Sequence, residues 1–338
     1  MELLPNRDKL VFMETPRRPA AALSVITVTP GGYETCRKCI GYLCKQTTKE
    51  KIELIIAAPS RDGLGLPQQD LACFHSHRVL EVGPVESTGM AWALAVHAAE
   101  APVVAYIEEH TYPRPDWAQV LIDTHRDTSL AAVGFAMGNA NPQTLTSWAH
   151  MYGQFGVAVE PTPSGPARAL GGHHVSYRRD VLLGYGGQLP RMLSNECALF
   201  IDLIEKGHKL HMAGDAVTDH VHISRFGTYC LLDFLGQRGF AATRANIGRW
   251  SFLRRVFYIT ASPLIPLVRM RRILRDIYRT RRNRNLLPQV LFVIAPVLAC
   301  GAVGEAVGYL LGAGRGVDRR RLPIELNRQA YLSEKLGE

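Results

Sequence analysis

Three successive residues, Glu108-Glu109-His110, close the short apolar run Val103 to Ile107 and gather side chains suited to chemistry. In an extended segment alternate residues project to the same side, so Glu108 and His110 can share one ion. A carboxylate oxygen with an imidazole nitrogen suits Mn2+, and less well Mg2+, which prefers oxygen and keeps several waters. The other reading of the same residues is a solvated acidic loop that opens a helix. A second pair, Cys36-x-x-Cys39, has the spacing of a redox or zinc motif, yet no second ligand pair stands near it. Cys36, Cys39, Ile40, Leu43 and Cys44 also fall at i, i+3, i+4, i+7 and i+8, the stripe of a helix packed on a sheet.

Both clusters need elements that position them. Leu23 to Val28 is a short β-branched run ending at Pro30-Gly31-Gly32, as a buried strand does at a turn. Further strand-like runs at Ile52–Ala57, Arg78–Val82, Val103–Ile107 and Leu130–Phe135 alternate with helical stretches at Gly89–Ala99 and Asp116–Thr124. That alternation predicts an α/β domain with a mostly parallel sheet, whose ligands lie beyond the carboxyl ends of the strands, where Glu108 to His110 stand. Residues 140–252 are less regular, running through Gly171-Gly172-His173-His174 to a predicted helix over Asn195–Lys206, which Ser194 or Asn195 could cap, and are expected to complete the site. Counting from the amino end, the chain divides into an extension (1–20), the α/β domain (21–252, with halves 21–139 and 140–252), a helical region (253–315) and a tail (316–338).

Charge separates the same bodies. The chain has 39 Lys and Arg against 30 Asp and Glu, but residues 1–252 are near balance while residues 253–338 hold 16 basic and 6 acidic side chains. A duplex-binding protein spreads positive charge over its folded face, so no nucleic-acid partner is expected. Seven scattered cysteines are odd in number, which argues against a disulfide framework and for a reducing compartment. Met1 to Val25 lacks a basic stretch followed by an unbroken apolar one, so no cleaved secretion signal is expected and the first 250 residues should be cytoplasmic. Val256–Val268, broken by Pro263 and Pro266, is too short to span a bilayer. Eight arginines between 269 and 284 precede Leu286–Gly312, which is long enough to cross one. Membrane attachment through this hydrophobic and basic appendage is expected; the alternative is a helical hairpin packed on the domain.

The order of motifs carries more than any one of them. Ser24-Val-Ile-Thr-Val-Thr29 at a first strand, Gln46 closing the next helix, and Val103-Val-Ala-Tyr-Ile-Glu-Glu-His-Thr-Tyr-Pro-Arg-Pro-Asp-Trp117 together resemble the family 2 glycosyltransferases. The resemblance covers about residues 22–225 and implies the GT-A fold. In that family an Asp-x-Asp type motif follows the strand, and Glu108 and His110 occupy its two metal-side positions. Leu170-Gly-Gly-His-His-Val-Ser-Tyr-Arg-Arg179 is similar to the acceptor-side loop, Asn195-Glu196 with Gly207 matches the Glu-Asp…Gly segment, and Ala216-Val-Thr-Asp-His220 is similar to the strand ending in a metal- or diphosphate-facing His.

The resemblance implies a transferase that moves a sugar from a nucleotide-diphosphate donor, with inversion, to a lipid-linked or polysaccharide acceptor at the cytoplasmic face of a membrane. Glu196 then replaces the catalytic Asp as the base. Glu108, His110 and His220 are the expected holders of a divalent cation, Mn2+ or Mg2+, and Thr29, Gly172 and His174 are expected at the donor. Gly172 serves close backbone approach to a ligand or a turn with positive φ. His174 and His220 have the alternative of structural hydrogen bonding, and Arg178 and Arg179 of a solvated helix face. The helix stripe Cys197, Phe200, Ile201, Ile204 is expected to face the core behind Glu196. Because Ile55-Ile-Ala-Ala-Pro-Ser60 offers no acid before Asp62, the second functional reading is a catalytically degenerate binding protein of the same fold at the membrane.

Overall fold

The computed structural model describes residues 20–280, 286–314 and 317–333. Residues 1–19 of the expected extension, Arg281, Arg282, Arg284 and Arg315 of the basic clusters, and 334–338 of the tail lie outside the described residues. The described elements run β1 (Leu23–Val28), α1 (Tyr33–Leu43), β2 (Ile52–Ala58), α2 (Arg61–Leu64), β3 (Ser76–Glu81), α3 (Thr88–Ala98), β4 (Val103–Tyr106), β5 (Thr111–Pro113), α4 (Trp117–Thr124), β6 (Leu130–Asn139) and α5 (Leu145–Phe155). They continue through β7 (Gly165–Ala167), β8 (Val175–Arg178), α6 (Arg179–Leu183), α7 (Leu189–Leu193), α8 (Glu196–Glu205) and β9 (Lys209–His220). The chain closes with α9 (Phe226–Ile247), α10 (Phe252–Ala261), α11 (Ile265–Thr280), α12 (Leu287–Leu311) and α13 (Val317–Leu326). The described residues form two compact units, one within 20–135 and 164–216, the other within 136–163 and 217–333.

The first unit is a mixed α/β layer structure, the class expected. Its sheet has the order β3-β2-β1-β4-β8-β6-β9-β5, with β7 on β9. The β1, β2, β3 and β4 ladders are parallel, Leu23 lying opposite both Ile52 and Val103. Parallel strands joined by crossover helices are covered on both faces, which is why β1 and β2 are buried along their whole length and read as unbroken apolar runs. One charge sits among them: Glu53, fully buried, meets Arg78 at 2.8 Å and accepts from the Ser24 hydroxyl. The α1 stripe is in the core, and burial pushes the Cys36 thiol up to about 12 and the Cys39 thiol up as well. Neither is therefore a thiolate at neutral pH, and the helix-stripe reading of this pair holds.

The sheet departs from the parallel pattern where β7 runs antiparallel to β9 and, nearer the candidate residues, at β8. β8 enters between β4 and β6 and runs antiparallel to both, with Ala105 opposite Ser176 and Val133 opposite Ser176. Reversal of one strand brings the residues before β8 to the same edge as the residues after β4. Gly171–His174 and Glu108–His110 thereby share one end of the sheet.

Ser176 also joins β8 to α4, since its hydroxyl lies 2.9 Å from His125 Nε2. Burial pushes His125 down from 6.5 to about 4, with Arg178 adding to the shift. Between these values the unfolded chain binds the proton and the folded chain does not, so stability falls as pH drops below about 6.5. The expected loss from this one group is about 2 kcal/mol at pH 5 relative to pH 7. Urea denaturation at the two pH values should show a smaller drop in His125→Gln; an unchanged drop would remove the assignment.

In the second unit α9 and α12 lie along each other. Added Cβ atoms at Gly304 and Gly308 would overlap the carbonyl oxygens of Phe234 and Arg238, and one at Gly301 would meet the Asp233 carboxylate, so these glycines set the close approach. Asp233, fully buried, is held bidentately by Arg269 of α11, both N···O distances being 2.8 Å. Among the described residues α12 is the helix long and apolar enough to cross a membrane, and 44% of its most apolar window is buried within the protein. The Val256–Val268 segment is two helices, α10 and the start of α11, joined by a 3-10 turn over Ser262–Leu264.

Candidate active site

The carboxyl end of β4 and the amino ends of β8 and α8 supply the candidate residues of the first unit. After Tyr106 the chain leaves the sheet and turns through Glu108–His110, closed by Thr111 N–H donating to the Glu108 carbonyl at 2.9 Å. His110, 1% exposed, stands between two carboxylates, Nδ1 at 3.0 Å from Glu109 Oε1 and Nε2 at 3.6 Å from Glu108 Oε2. Glu108 is the more open of the acids, with a side chain 16% exposed against 4% for Glu109.

His174 is fully enclosed, with Nδ1 3.1 Å from the Gly172 carbonyl and its ring edge-on to Phe135 at 5.6 Å. Burial pushes its imidazole down to about 4, partly countered by the nearby Glu108 charge. A neutral ring is the form that ligates a metal. Ligand atoms of Glu108 and His174 lie within 4.8 Å of each other. An oxygen with a nitrogen donor is a set that suits Mn2+ better than Mg2+. His220, the other predicted imidazole, ends β9 in the second unit, buried with its ring 4.6 Å from His222 and 5.2 Å from Phe155.

Glu196 opens α8, whose N-cap is Asn195, one of the two residues the sequence offers, accepting from Ala198 N–H at 3.3 Å. Ser194 is not the cap; its hydroxyl donates to the Pro190 carbonyl. The predicted packing stripe is corrected, because Ile201 is 59% and Ile204 41% exposed and Cys197 is exposed, whereas Glu196, Leu199, Phe200 and Leu203 face inward. The helix is turned so that its first residue, an acid, joins the buried side. Two donors hold it there: Tyr177 hydroxyl to Oε1 at 2.6 Å and His173 backbone N–H to Oε2. His173 Nδ1 stands 3.6 Å from the same Oε2, and this ring is one-third exposed.

Around Glu196 the walls are aromatic. Trp92 of α3 stacks on Tyr106 at 4.8 Å and meets the His173 ring at the same distance, while Tyr106 lies 5.7 Å from Tyr177. Burial and the Glu196 charge hold both tyrosine hydroxyls protonated, far above their ordinary range. The Tyr106 hydroxyl is buried without a hydrogen-bond partner. At Gly172 the backbone passes close to Glu196, for a Cβ there would stand 3.2 Å from Glu196 Oε2. The positive φ of this loop falls on His173, at 63°, where a non-glycine residue is strained.

Thr29 follows β1, its hydroxyl 2.5 Å from that of Thr35 at the start of α1. Gln46 is buried as a clamp, donating to the Pro113 and Arg114 carbonyls and accepting from Ala118 N–H, which fixes the segment after the Glu108 turn. Arg178 pairs with Asp180, and Arg179 donates to the Val96 and His97 carbonyls. Tyr177 and His173 were not singled out from sequence. The alternation of β8 places Val175 and Tyr177 on one face, a signal for the tyrosine, but nothing local marks His173 as the residue that holds Glu196.

No family model matches the chain, and no curated protein matches it. Among solved structures, it is similar to S. aureus TarS, 14% identical over 85% of this chain and 55% of that one, with a TM-score of 0.43. It is likewise similar to TarS 1–349 in complex with UDP, at 13% identity over 85% and 90%, TM-score 0.45. GalNAc-T7 with UDP, GalNAc and Mn2+ is 12% identical over 61% and 45%, TM-score 0.44. The chain spans about half the length of the longer TarS chain and of GalNAc-T7.

Proposed function

We propose that the protein is a family 2 glycosyltransferase of GT-A fold that moves a sugar from a nucleotide-diphosphate donor, with inversion, to a lipid-linked or polysaccharide acceptor at the cytoplasmic face of a membrane. One observation carries the reading: the Gly171–His174 loop holds Glu196 through one residue and stands against Glu108 through the next. Two acids with different surroundings are thus brought to one end of the sheet.

Inverting transfer needs a carboxylate that takes the proton of the acceptor hydroxyl as its oxygen attacks the anomeric carbon. Glu196 fills that role. Each of its oxygens already accepts one hydrogen bond, from Tyr177 or from His173 N–H, which fixes the carboxylate while leaving lone pairs for the incoming hydroxyl. Its place in the first turn of α8 sets it at the positive end of that helix's dipole. The aromatic wall of Trp92, Tyr106 and Tyr177 excludes water from the reacting atoms.

Glu108 and His174 would hold the divalent cation, with His110 orienting Glu108. When bound, the cation neutralises charge developing on the leaving diphosphate. Thr29 and Gly172 are assigned to the donor side. The membrane location draws on the apolar α12 and the basic residues before it.

Purified protein with Mn2+ and a panel of nucleotide sugars should release nucleoside diphosphate in the presence of a membrane lipid extract. Binding of a nucleotide sugar without turnover on any extract would favour the degenerate binding protein, the reading suggested by the absence of an acid between Ile55 and Ser60.

A further inference from the structure

Two consecutive helices of the second unit present an apolar face that the chain does not cover. On α10, Phe252, Leu253 and Phe257 share one side and are 74, 78 and 65% exposed. The 3-10 turn and the first turn of α11 continue it with Leu264, Leu267 and Val268, at 60, 68 and 69%. The opposite sides are packed: Tyr258 stacks on Trp250, and Arg269, Ile273, Asp276 and Ile277 are buried. These helices are therefore docked with large apolar side chains turned to water. Single exposed apolar residues are ordinary, but six on two adjoining helices form a patch of the kind that marks a partner.

Charge identifies the partner. Positions 264, 267, 268, 271, 272 and 275 fall at i, i+3, i+4, i+7, i+8 and i+11, so Arg271, Arg272 and Arg275 extend the outward face that begins with the leucines. All three are exposed, as is Arg254 of α10, while Asp276, the acid of this segment, is buried. A face that passes from large apolar side chains to guanidiniums is the arrangement of a helix lying in a bilayer interface. The apolar groups enter the boundary between headgroups and acyl chains, and the arginine stems carry charge back to the lipid phosphates.

We propose that α10 and α11 lie flat on the surface of a bilayer containing anionic phospholipid, and that this face is the membrane contact of the protein. Attachment of this kind does not require α12 to cross the bilayer. The inference deepens the membrane location proposed above, and its readout is lipid binding alone. Lost sugar transfer with intact vesicle binding would therefore count only against the transferase reading.

Full-length protein should co-sediment with vesicles of phosphatidylcholine mixed with phosphatidylglycerol, far less with phosphatidylcholine alone, and less in high salt. Arg271→Gln with Arg272→Gln should weaken binding to the mixed vesicles by about 30-fold. Leu253→Glu with Leu267→Glu should weaken it by about 100-fold or more, with circular dichroism and melting unchanged because both side chains already face solvent. Undiminished binding by the glutamate variant would overturn the proposal. So would absence of binding by the wild type, or a wild-type dimer that the glutamate variant converts to monomer without vesicle binding in either.

Discussion

Glu196→Gln should leave nucleotide-sugar affinity nearly unchanged and lower the transfer rate by about 10²–10⁴-fold, the range that a positioned general base contributes. The substitution keeps size and one acceptor oxygen while removing the proton acceptor. The structure sharpens the expectation, because the carboxylate sits between a phenol hydroxyl and a backbone N–H. A glutamine can accept from one of these, but its amide nitrogen must face the other donor, so a modest loss of stability accompanies the loss of rate. Tyr177→Phe removes one of the two restraints without touching the base, and should produce a smaller fall in kcat with KM for the donor unchanged. Normal turnover in Glu196→Gln, measured as nucleoside diphosphate released per enzyme, would remove the base assignment. Equal losses in the two variants would make Tyr177 as important as the acid and require a different base.

Glu108→Ala is expected to have the next largest effect, on the metal. Loss of a partner that only orients a ligand costs about 10–100-fold in affinity, and loss of a ligand should exceed that. Titration of Mn2+ into Glu108→Ala should therefore show weakening beyond 100-fold, and His174→Ala should move in the same direction. His110→Ala should raise the Mn2+ requirement by less, because its ring stands between the carboxylates, 3.6 Å from Glu108 and 3.0 Å from Glu109. The predicted direct ligation by His110 makes a contrary expectation, a loss as large as that of Glu108→Ala. Mn2+ affinity unchanged in all three variants would contradict a metal site at this end of the sheet.

What the sequence revealed of this arrangement was local. The α1 stripe, the Asn195 cap and the burial of β1 and β2 follow from periodicity and end signals within a dozen residues, and each is present. The α8 stripe failed for an instructive reason. Hydrophobicity alone places Ile201 and Ile204 inward, but the hydrogen bonds that Tyr177 and His173 make to Glu196 turn the helix, and those partners lie 19 and 23 residues upstream. The reversal of β8 was equally hidden, since four residues of β8 read alike in either direction, and only pairing with β4 and β6 fixes it. That reversal is what brings His174 to Glu108. Candidate acids were thus visible by type and spacing, whereas the groups that orient them depended on pairings distant in sequence. The exposed face of α10 and α11 was partly legible as an apolar segment beside arginines, but which side of each helix packs could be read only from the fold.

The most direct test is a crystal structure of the protein grown with Mn2+ and a nucleoside diphosphate, with the ion located by anomalous scattering. The expected result is one strong peak coordinated by Glu108 and His174, in contact with the diphosphate, with Glu196 facing the same cavity. A peak bound elsewhere, or a nucleotide lodged away from the Gly171–His174 loop, would contradict the site on which the transferase reading rests.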